Sequence, residues 1–100
     1  FYYELSLQEV FGDYPLHMAA DRGYLSIANL LLQAGATVDA VNDYGSTALH
    51  KAAYSGKIQV VEALLNAGAD KAVKDKYTKK TALDLAQKEN YPAIVKLLRD

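Results

Sequence analysis

Apolar positions along the chain follow the spacing of short amphipathic helices that come in pairs. Residues 48–53 favour a helix, and Gly56 follows as the glycine that ends it. A second series has helical spacing and stops before Gly68; it comprises Ile58, Val61, Leu64 and Leu65. The polar, turn-forming segment 39–45 is too short for a strand of any length. The pattern therefore predicts a unit of turn, helix, turn and helix.

This unit recurs at a fixed interval. The stretch GDYPLHMAADRGYLSIANLLLQAGA (12–36) returns 33 residues later as GSTALHKAAYSGKIQVVEALLNAGA (45–69). A weaker third copy begins at Thr81, with an offset of 34 residues. A fixed period in this range is typical of repeat arrays. Because neither helix of a unit can bury its apolar stripe alone, the copies are expected to stack side by side.

The repeated residues resemble the ankyrin-repeat signature T-P-L-H-x-A over about 90 residues. The signature stands here as YPLHMAA (14–20) and TALHKAA (47–53), with exits GATVDA and GADKA. The resemblance implies an all-α ankyrin-repeat solenoid of stacked helix-turn-helix units with short β-hairpin-like loops. We expect one domain over residues 1–100, made of an N-terminal cover (1–11), repeat one (12–44), repeat two (45–77) and a C-terminal capping repeat (78–100).

Several residues depart from the pattern, and each departure carries an expectation. Tyr14 replaces the capping threonine, so the first helix should lack a hydroxyl cap. The segment 78–81 has one extra residue and no turn glycine, which predicts a local bulge in the last hairpin. Asp84 replaces the histidine of the other copies. Gln87 and Arg99 replace alanine and leucine at stacking positions, as expected of the polar outer face at the end of an array.

Charge and composition exclude several partners and sites. The net charge is −1, and no run of Lys and Arg exceeds two, so neither nucleic acid nor an anionic membrane is an expected partner. The apolar runs are far shorter than a membrane span. The absence of cysteine excludes disulfides and thiolate metal sites and suits a reducing compartment, so we expect a cytoplasmic protein. A first residue other than methionine, Phe1, indicates a fragment or a processed chain.

Two histidines, His17 and His50, occupy equivalent positions in the repeats. A metal or general-base pair is one interpretation. The resemblance favours the other, in which each imidazole bridges the backbones of neighbouring turns. Neither histidine has carboxylates at ligand spacing, and no nucleophile or phosphate-binding motif occurs. The sequence therefore predicts no enzyme, no cofactor and no metal.

The aromatic residues divide by their place in the repeat. Phe11, Tyr44 and Tyr77 fall at equivalent positions, one per hairpin tip, where they either pack on each other or contact a partner. Tyr24 and Tyr91 follow the inter-helix turn and are expected to brace the second helix. Tyr54 has no aromatic equivalent in the other copies. The resemblance places it on the concave groove formed by first helices and hairpin tips.

These residues predict a protein-binding surface with an aromatic centre and a charged rim. Its expected members are Phe11, Asp13, Met18, Asp21, Arg22, Val41, Asp43, Tyr44, Ser46, Lys51, Tyr54, Ser55 and Tyr77. The first hypothesis is a non-catalytic module, natural or engineered, that binds another protein through this surface. The alternative is self-association as a homodimer through an incompletely capped N-terminal face bearing Phe1, Tyr2, Tyr3, Leu5 and Leu7. A third hypothesis is capture of a small cationic group, such as methylated lysine, by the tyrosines.

Overall fold

The computed structural model describes residues 10–100. After one 3-10 turn, Val10–Gly12, these residues form six α-helices. They are α1 (Pro15–Arg22), α2 (Leu25–Gln33), α3 (Ala48–Ser55), α4 (Ile58–Asn66), α5 (Ala82–Lys88) and α6 (Pro92–Arg99). No strand occurs in this part of the chain, so the expected all-α class is confirmed. The apolar N-terminal residues named in the dimer hypothesis lie outside the described residues.

The first helix of each repeat begins one residue after the position of the capping threonine. The hydroxyl oxygen of Thr47 accepts a hydrogen bond from the backbone N–H of His50 at 3.2 Å, and Thr81 accepts one from Asp84 at 3.2 Å. Tyr14 makes no such side-chain bond, as expected. Pro15 follows it at the first helical position, where its fixed φ favours the helix without a cap.

The turn between the two helices of a repeat needs a left-handed residue. Gly56 adopts φ 73° there, a conformation that is strained for residues with a Cβ. In the last repeat Asn90 takes the equivalent place with φ 62°. Asparagine tolerates this region better than most residues, so the turn survives the loss of glycine.

The helices lie in two layers. The first helices α1, α3 and α5 contact one another in order, and the second helices α2, α4 and α6 form the other layer. Small residues such as Ala20 and Ala53 are fully buried between the first helices and allow their close approach. Larger side chains fill the space beside the second helices, among them Val60, Val61 and Leu64. A bulkier residue at Ala53 would force the layer apart, at a cost of about 1–3 kcal/mol.

Each hairpin between repeats is closed by one buried polar side chain. The side-chain oxygen of Asn42 accepts hydrogen bonds from the backbone N–H groups of Tyr44 and Ser46, both at 2.9 Å. Its equivalent Asp75 accepts from the N–H of Thr78 at 2.6 Å and of Lys79 at 3.2 Å. Both side chains are buried, and satisfied polar groups of this kind fix a loop.

The last hairpin also holds the expected extra residue. Lys79 adopts φ 59°, a positive value that is uncommon outside glycine. The hydroxyl of Thr78 donates a further hydrogen bond to Asp75. Burial alone would raise the pKa of Asp75, but these bonds to its carboxylate outweigh it and lower the pKa below the ordinary value of 3.8. The charged carboxylate therefore stabilises the longer loop.

The outer face of the last repeat is polar where the middle repeat is apolar. Gln87 and Arg99 are exposed, whereas the equivalent Ala53 is fully buried and Leu65 is half-buried. This contrast is the one expected of a repeat that faces solvent.

Candidate functional site

Both histidines are buried and connect a first helix to the next hairpin. Nδ1 of His17 accepts a hydrogen bond from the backbone N–H of Tyr14 at 3.0 Å, so this nitrogen carries no proton. Its Nε2 must then carry the proton, and it donates to the carbonyl of Ser46 at 2.7 Å. Burial lowers the pKa of His17 below its ordinary 6.5, although the bond to Ser46 opposes that effect. The ring is therefore neutral.

His50 repeats this arrangement one unit later. Its Nδ1 accepts from the backbone N–H of Thr47 at 3.0 Å, and its Nε2 donates to the carbonyl of Lys80 at 2.9 Å. With both ring nitrogens of each histidine engaged by the fold, neither ring is placed to bind a metal or move a substrate proton. The structural interpretation of the two histidines thus has a direct geometric basis.

Asp84, the equivalent of the two histidines, bonds within its own repeat but does not bridge to another hairpin. Its carboxylate accepts a hydrogen bond from the N–H of Thr81 at 3.0 Å. That bond is the first cause of the lowered pKa of Asp84. A carboxylate has no N–H, so Asp84 cannot donate a hydrogen bond to a hairpin carbonyl as the two histidines do.

The aromatic rings at the hairpin tips pack on one another. The centroid of Phe11 lies 5.9 Å from that of Tyr44, and the Tyr44 centroid lies 6.0 Å from that of Tyr77 in an edge-on geometry. Backbone hydrogen bonds run beside the rings, from the N–H of Asp43 to Phe11 at 3.1 Å and from the N–H of Lys76 to Tyr44 at 2.8 Å. All three side chains nevertheless remain between 45% and 67% exposed, so packing leaves a large aromatic surface.

A cleft of about 330 Å³ opens between the hairpin tips and the first helices. Tyr44, Tyr54 and Tyr77 line it from both sides, and we name it the tyrosine cleft. The other lining residues are Asp21, Ser46, His50, Lys51, Asp75, Thr78 and Leu85. Tyr54 is 53% exposed and projects from α3, so its ring is accessible from the cleft. Three phenol rings around one open cleft provide apolar area and hydrogen-bonding groups together.

Polar contacts hold the helix side of the tyrosine cleft in place. Ser55 donates its hydroxyl hydrogen to Asp21 at 2.7 Å, which links α3 to α1. Nζ of Lys51 lies 3.8 Å from a carboxylate oxygen of Asp13, and the other oxygen of Asp13 accepts from Asn42 at 2.8 Å. These bonds fix side chains across repeats and so preorganise the surface.

Some of the expected binding residues meet in the cleft and others do not. Those that line it are Asp21, Tyr44, Ser46, Lys51, Tyr54 and Tyr77. Phe11, Asp13 and Ser55 adjoin it through the ring contact and the hydrogen bonds above. Met18 is half-buried, while Arg22, Val41 and Asp43 are exposed but do not line the cleft.

Sequence reasoning missed residues that the cleft includes or needs. Thr78 and Leu85 line it, and Asp75 both lines it and closes its hairpin. The sequence offered one signal for Asp75, which lies 33 residues after Asn42 and so at the equivalent turn position. Asn or Asp at the same position of two turns indicates a hydrogen bond from the side chain to the turn backbone. Tyr24 and Tyr91 were both expected to brace a second helix. Tyr91 packs against the core, whereas Tyr24 is 49% exposed.

Residues 10–100 contain neither a metal-binding cluster nor a membrane-spanning helix. No group of three His, Cys, Asp or Glu side chains there could hold a metal ion. No helix in this range is long and apolar enough to cross a membrane. A second recess of about 390 Å³ lies at the outer side of the last repeat, around Tyr91, Val95 and Arg99.

Comparison with known proteins identifies the repeated unit. The family model for ankyrin repeats, in three copies, matches residues 16–100. A comparison with curated proteins found no match.

Proposed function

The chain belongs to the ankyrin-repeat family, and on that premise we propose that it is a non-catalytic module that binds another protein through the tyrosine cleft. Ankyrin repeats in general serve protein–protein interaction. The binding surface we propose comprises the cleft together with the expected residues that adjoin it.

One observation supports this proposal most directly. Tyr44, Tyr54 and Tyr77 come from two hairpins and one helix, yet they border the same cleft while keeping 45%, 53% and 67% of their surface exposed. Exposed tyrosine contributes large contact area at a small cost in conformational entropy. Desolvated aromatic anchors of this kind dominate the energetics of many interfaces.

The chemistry of the described residues favours binding over catalysis. The histidines are engaged in hairpin bridges, and the carboxylates of Asp75 and Asp84 are engaged in turns and caps. No nucleophile with an adjacent base remains among these groups. The absence of cysteine suits the reducing cytosol, which is the compartment we propose.

Selection from a phage-displayed library of random linear peptides tests the proposal. We expect peptides enriched on the parent protein to lose binding to a variant carrying Tyr44→Ala, Tyr54→Ala and Tyr77→Ala. Tyr24→Ala is the matched control, because Tyr24 is 49% exposed but lies outside the cleft. Equal binding to the parent and the triple variant, or no enrichment on the parent, would contradict the proposal.

A second candidate function is self-association through the N-terminal side of the stack. Ile27 is 49% exposed, whereas the equivalent Val60 and Ile94 are 1% and 2% exposed because each packs toward the preceding repeat. Leu30, 64% exposed, adds to this apolar surface. Light scattering at two concentrations tests it: the parent should gain mass, and Ile27→Lys should not. A parent that stays monomeric contradicts this candidate.

A further inference from the structure

Charge is unevenly distributed along the stack. Among the described residues, 10–50 carry four Asp side chains and a single cation, Arg22, whereas 51–100 carry ten Lys and Arg against six Asp and Glu. Because each repeat occupies its own level of a solenoid, a difference along the sequence becomes a difference in space. One end of the stack is therefore acidic and the other basic.

The same gradient runs along the row of first-helix residues that borders the tyrosine cleft. Asp21, Tyr54 and Lys88 are equivalent residues of α1, α3 and α5, and all three are exposed. Asp21 and Tyr54 line the cleft, and the packing of α1 on α3 and α3 on α5 continues their row to Lys88. The row thus reads acidic, aromatic and basic from the first repeat to the last.

The hairpin tips carry the gradient on the opposite side of the cleft. Asp43 immediately precedes Tyr44, and its equivalent Lys76 immediately precedes Tyr77. Both charged side chains are exposed, and Nζ of Lys76 lies 5.5 Å from the centroid of the Tyr77 ring. The two sides of the cleft therefore agree in the direction of their charge.

Other charges near the cleft do not cancel this polarity. Lys51, in the middle repeat, is neutralised locally by Asp13 at 3.8 Å. Arg22 and its equivalent Glu89 have the opposite order, but Arg22 ends α1 and Glu89 follows α5, each one residue after the row. A step of one residue turns a side chain about 100° around a helix axis, away from the row. The carboxylate of Asp75 is fully engaged by its own hairpin.

The two ends are far enough apart to act separately. Neighbouring helices pack about 8–10 Å apart, so the first and third repeats are roughly 20 Å apart. The Debye length at about 0.15 M ionic strength is ~8 Å, so a group at one end is largely screened from the other. A ligand that spans the cleft meets two distinct electrostatic environments with an aromatic centre between them.

We propose that the tyrosine cleft, together with the exposed charged residues beside it, binds a charge-split peptide segment of its partner. The basic end of the segment lies against Asp21 and Asp43, its apolar or aromatic centre against Tyr54, and its acidic end against Lys76 and Lys88. This inference rests on the proposed function of the cleft. Complementary potentials set orientation and reject wrong partners more than they add affinity. The polarity of the cleft thus fixes the direction in which the partner segment lies.

Two variants that remove the polarity test the inference with the same random peptide library. Asp21→Lys with Asp43→Lys makes both ends basic, and Lys76→Glu with Lys88→Glu makes both ends acidic. We expect the parent to enrich peptides with basic and acidic residues in separate halves, the first variant to enrich acidic peptides, and the second to enrich basic ones. The best parent peptide should bind either variant roughly fivefold more weakly.

A control variant separates this effect from a change in net charge. Glu62→Lys with Asp100→Lys alters the net charge as much as the first variant does, but Glu62 lies on α4 and Asp100 follows α6. This control should enrich the same peptides as the parent. Parent peptides with no charge segregation, or the same peptides on all variants, overturn the inference. If those peptides still require Tyr54, the proposed function stands although the charge-split inference fails. Binding that is independent of the three tyrosines overturns both the inference and the proposed function.

Discussion

At the scale of single residues, tyrosine has two distinct roles in this protein. Tyr54 is 53% exposed on the tyrosine cleft, whereas Tyr91 is half-buried and packs against the core. The ring of Tyr91 lies so close to Gly56 that a Cβ added there would be 2.7 Å from its Cζ. One tyrosine is thus available to a partner, and the other supports the turn between α3 and α4.

Tyr54→Ala should weaken the binding of cleft-selected peptides at least about tenfold, because truncating a central aromatic anchor costs roughly 2 kcal/mol or more. The melting temperature should change little, since an exposed ring contributes little to folding. Calorimetric titration and thermal unfolding measure the two effects.

Tyr91→Ala provides the opposite test. It should lower the free energy of unfolding by roughly 2 kcal/mol, because it leaves a void beside the core, and leave peptide affinity unchanged. The assignment of the two roles is wrong if Tyr54→Ala unfolds more easily than Tyr91→Ala, or if neither variant differs from the parent in binding.

The burial of His17 makes the free energy of unfolding depend on pH. Protonating Nδ1 would place a proton against the N–H of Tyr14, and burial already disfavours the charged ring. The folded-state pKa is therefore below the unfolded value of 6.5. The unfolded chain then binds more protons below pH 6.5, so this contribution to stability is complete above that pH and is lost as the pH falls.

Urea unfolding at a series of pH values should show this loss. Between pH 6.5 and about 5 the parent should lose stability. The carboxylates of Asp75 and Asp84 contribute little in that range, because their stabilisation is lost only as the pH approaches the ordinary value of 3.8, where the unfolded chain takes up their protons. His17→Gln should lose less over the same range, and an equal dependence on pH in both proteins would contradict the assignment.

At the scale of elements, the hairpins depend on close approach between successive tips. Gly45 has φ 73°, and a Cβ added to it would lie 2.8 Å from the backbone nitrogen of Lys76. That nitrogen donates to the carbonyl of Tyr44 at 2.8 Å. Gly35 also has a positive φ, 97°, but nothing lies within 4 Å of its added Cβ. The two glycines therefore separate backbone strain from steric contact.

Gly35→Ala should cost about 1–2 kcal/mol, the price of a left-handed alanine. Gly45→Ala should cost about 1–3 kcal/mol more, because the new methyl group must displace Lys76 from its hydrogen bond. Chemical denaturation of both variants measures the difference. Equal destabilisation would show that the backbone at Lys76 moves aside at no measurable cost in stability.

At the scale of the whole molecule, the two ends of the stack differ. The outer side of the last repeat exposes Gln87 and Arg99, whereas Ile27 and Leu30 are exposed on the side of the first. The two ends also differ in charge, since the first repeat is acidic and the last is basic. Stacked repeats meet only their neighbours, so each end has its own surface chemistry.

Gln87→Ala with Arg99→Leu should promote association through the outer side of the last repeat. The two changes restore the residues that the middle repeat uses to stack on its successor, Ala53 and Leu65. Sedimentation at increasing concentration measures the association, with Gln59→Ala and Asn66→Leu, both exposed on α4, as a control for added apolar surface. A double variant that stays monomeric would show that these polar residues do not prevent stacking.

Repeat spacing, capping threonines and turn glycines were sufficient to predict the pairs of helices and their stacking. Each depends on a local rule: Thr47 caps because its hydroxyl reaches an N–H three residues on, and Gly56 ends a helix because it lacks a Cβ. The expectation that Tyr54 is exposed came from the resemblance to ankyrin repeats and not from such a local rule. Because local rules repeat with the sequence, the sequence by itself determined the fold class and the order of the elements.

Only the tertiary structure decided which side chains share the tyrosine cleft. Val41 and Tyr44 are three residues apart in one hairpin, yet only Tyr44 lines it. Thr78 borders it in a hairpin that the buried carboxylate of Asp75 holds, and Leu85 borders it from α5. Such contacts depend on side-chain direction and on hydrogen bonds between repeats. A periodic pattern specifies which positions are equivalent, but the packing of unlike side chains at those positions determines the surface.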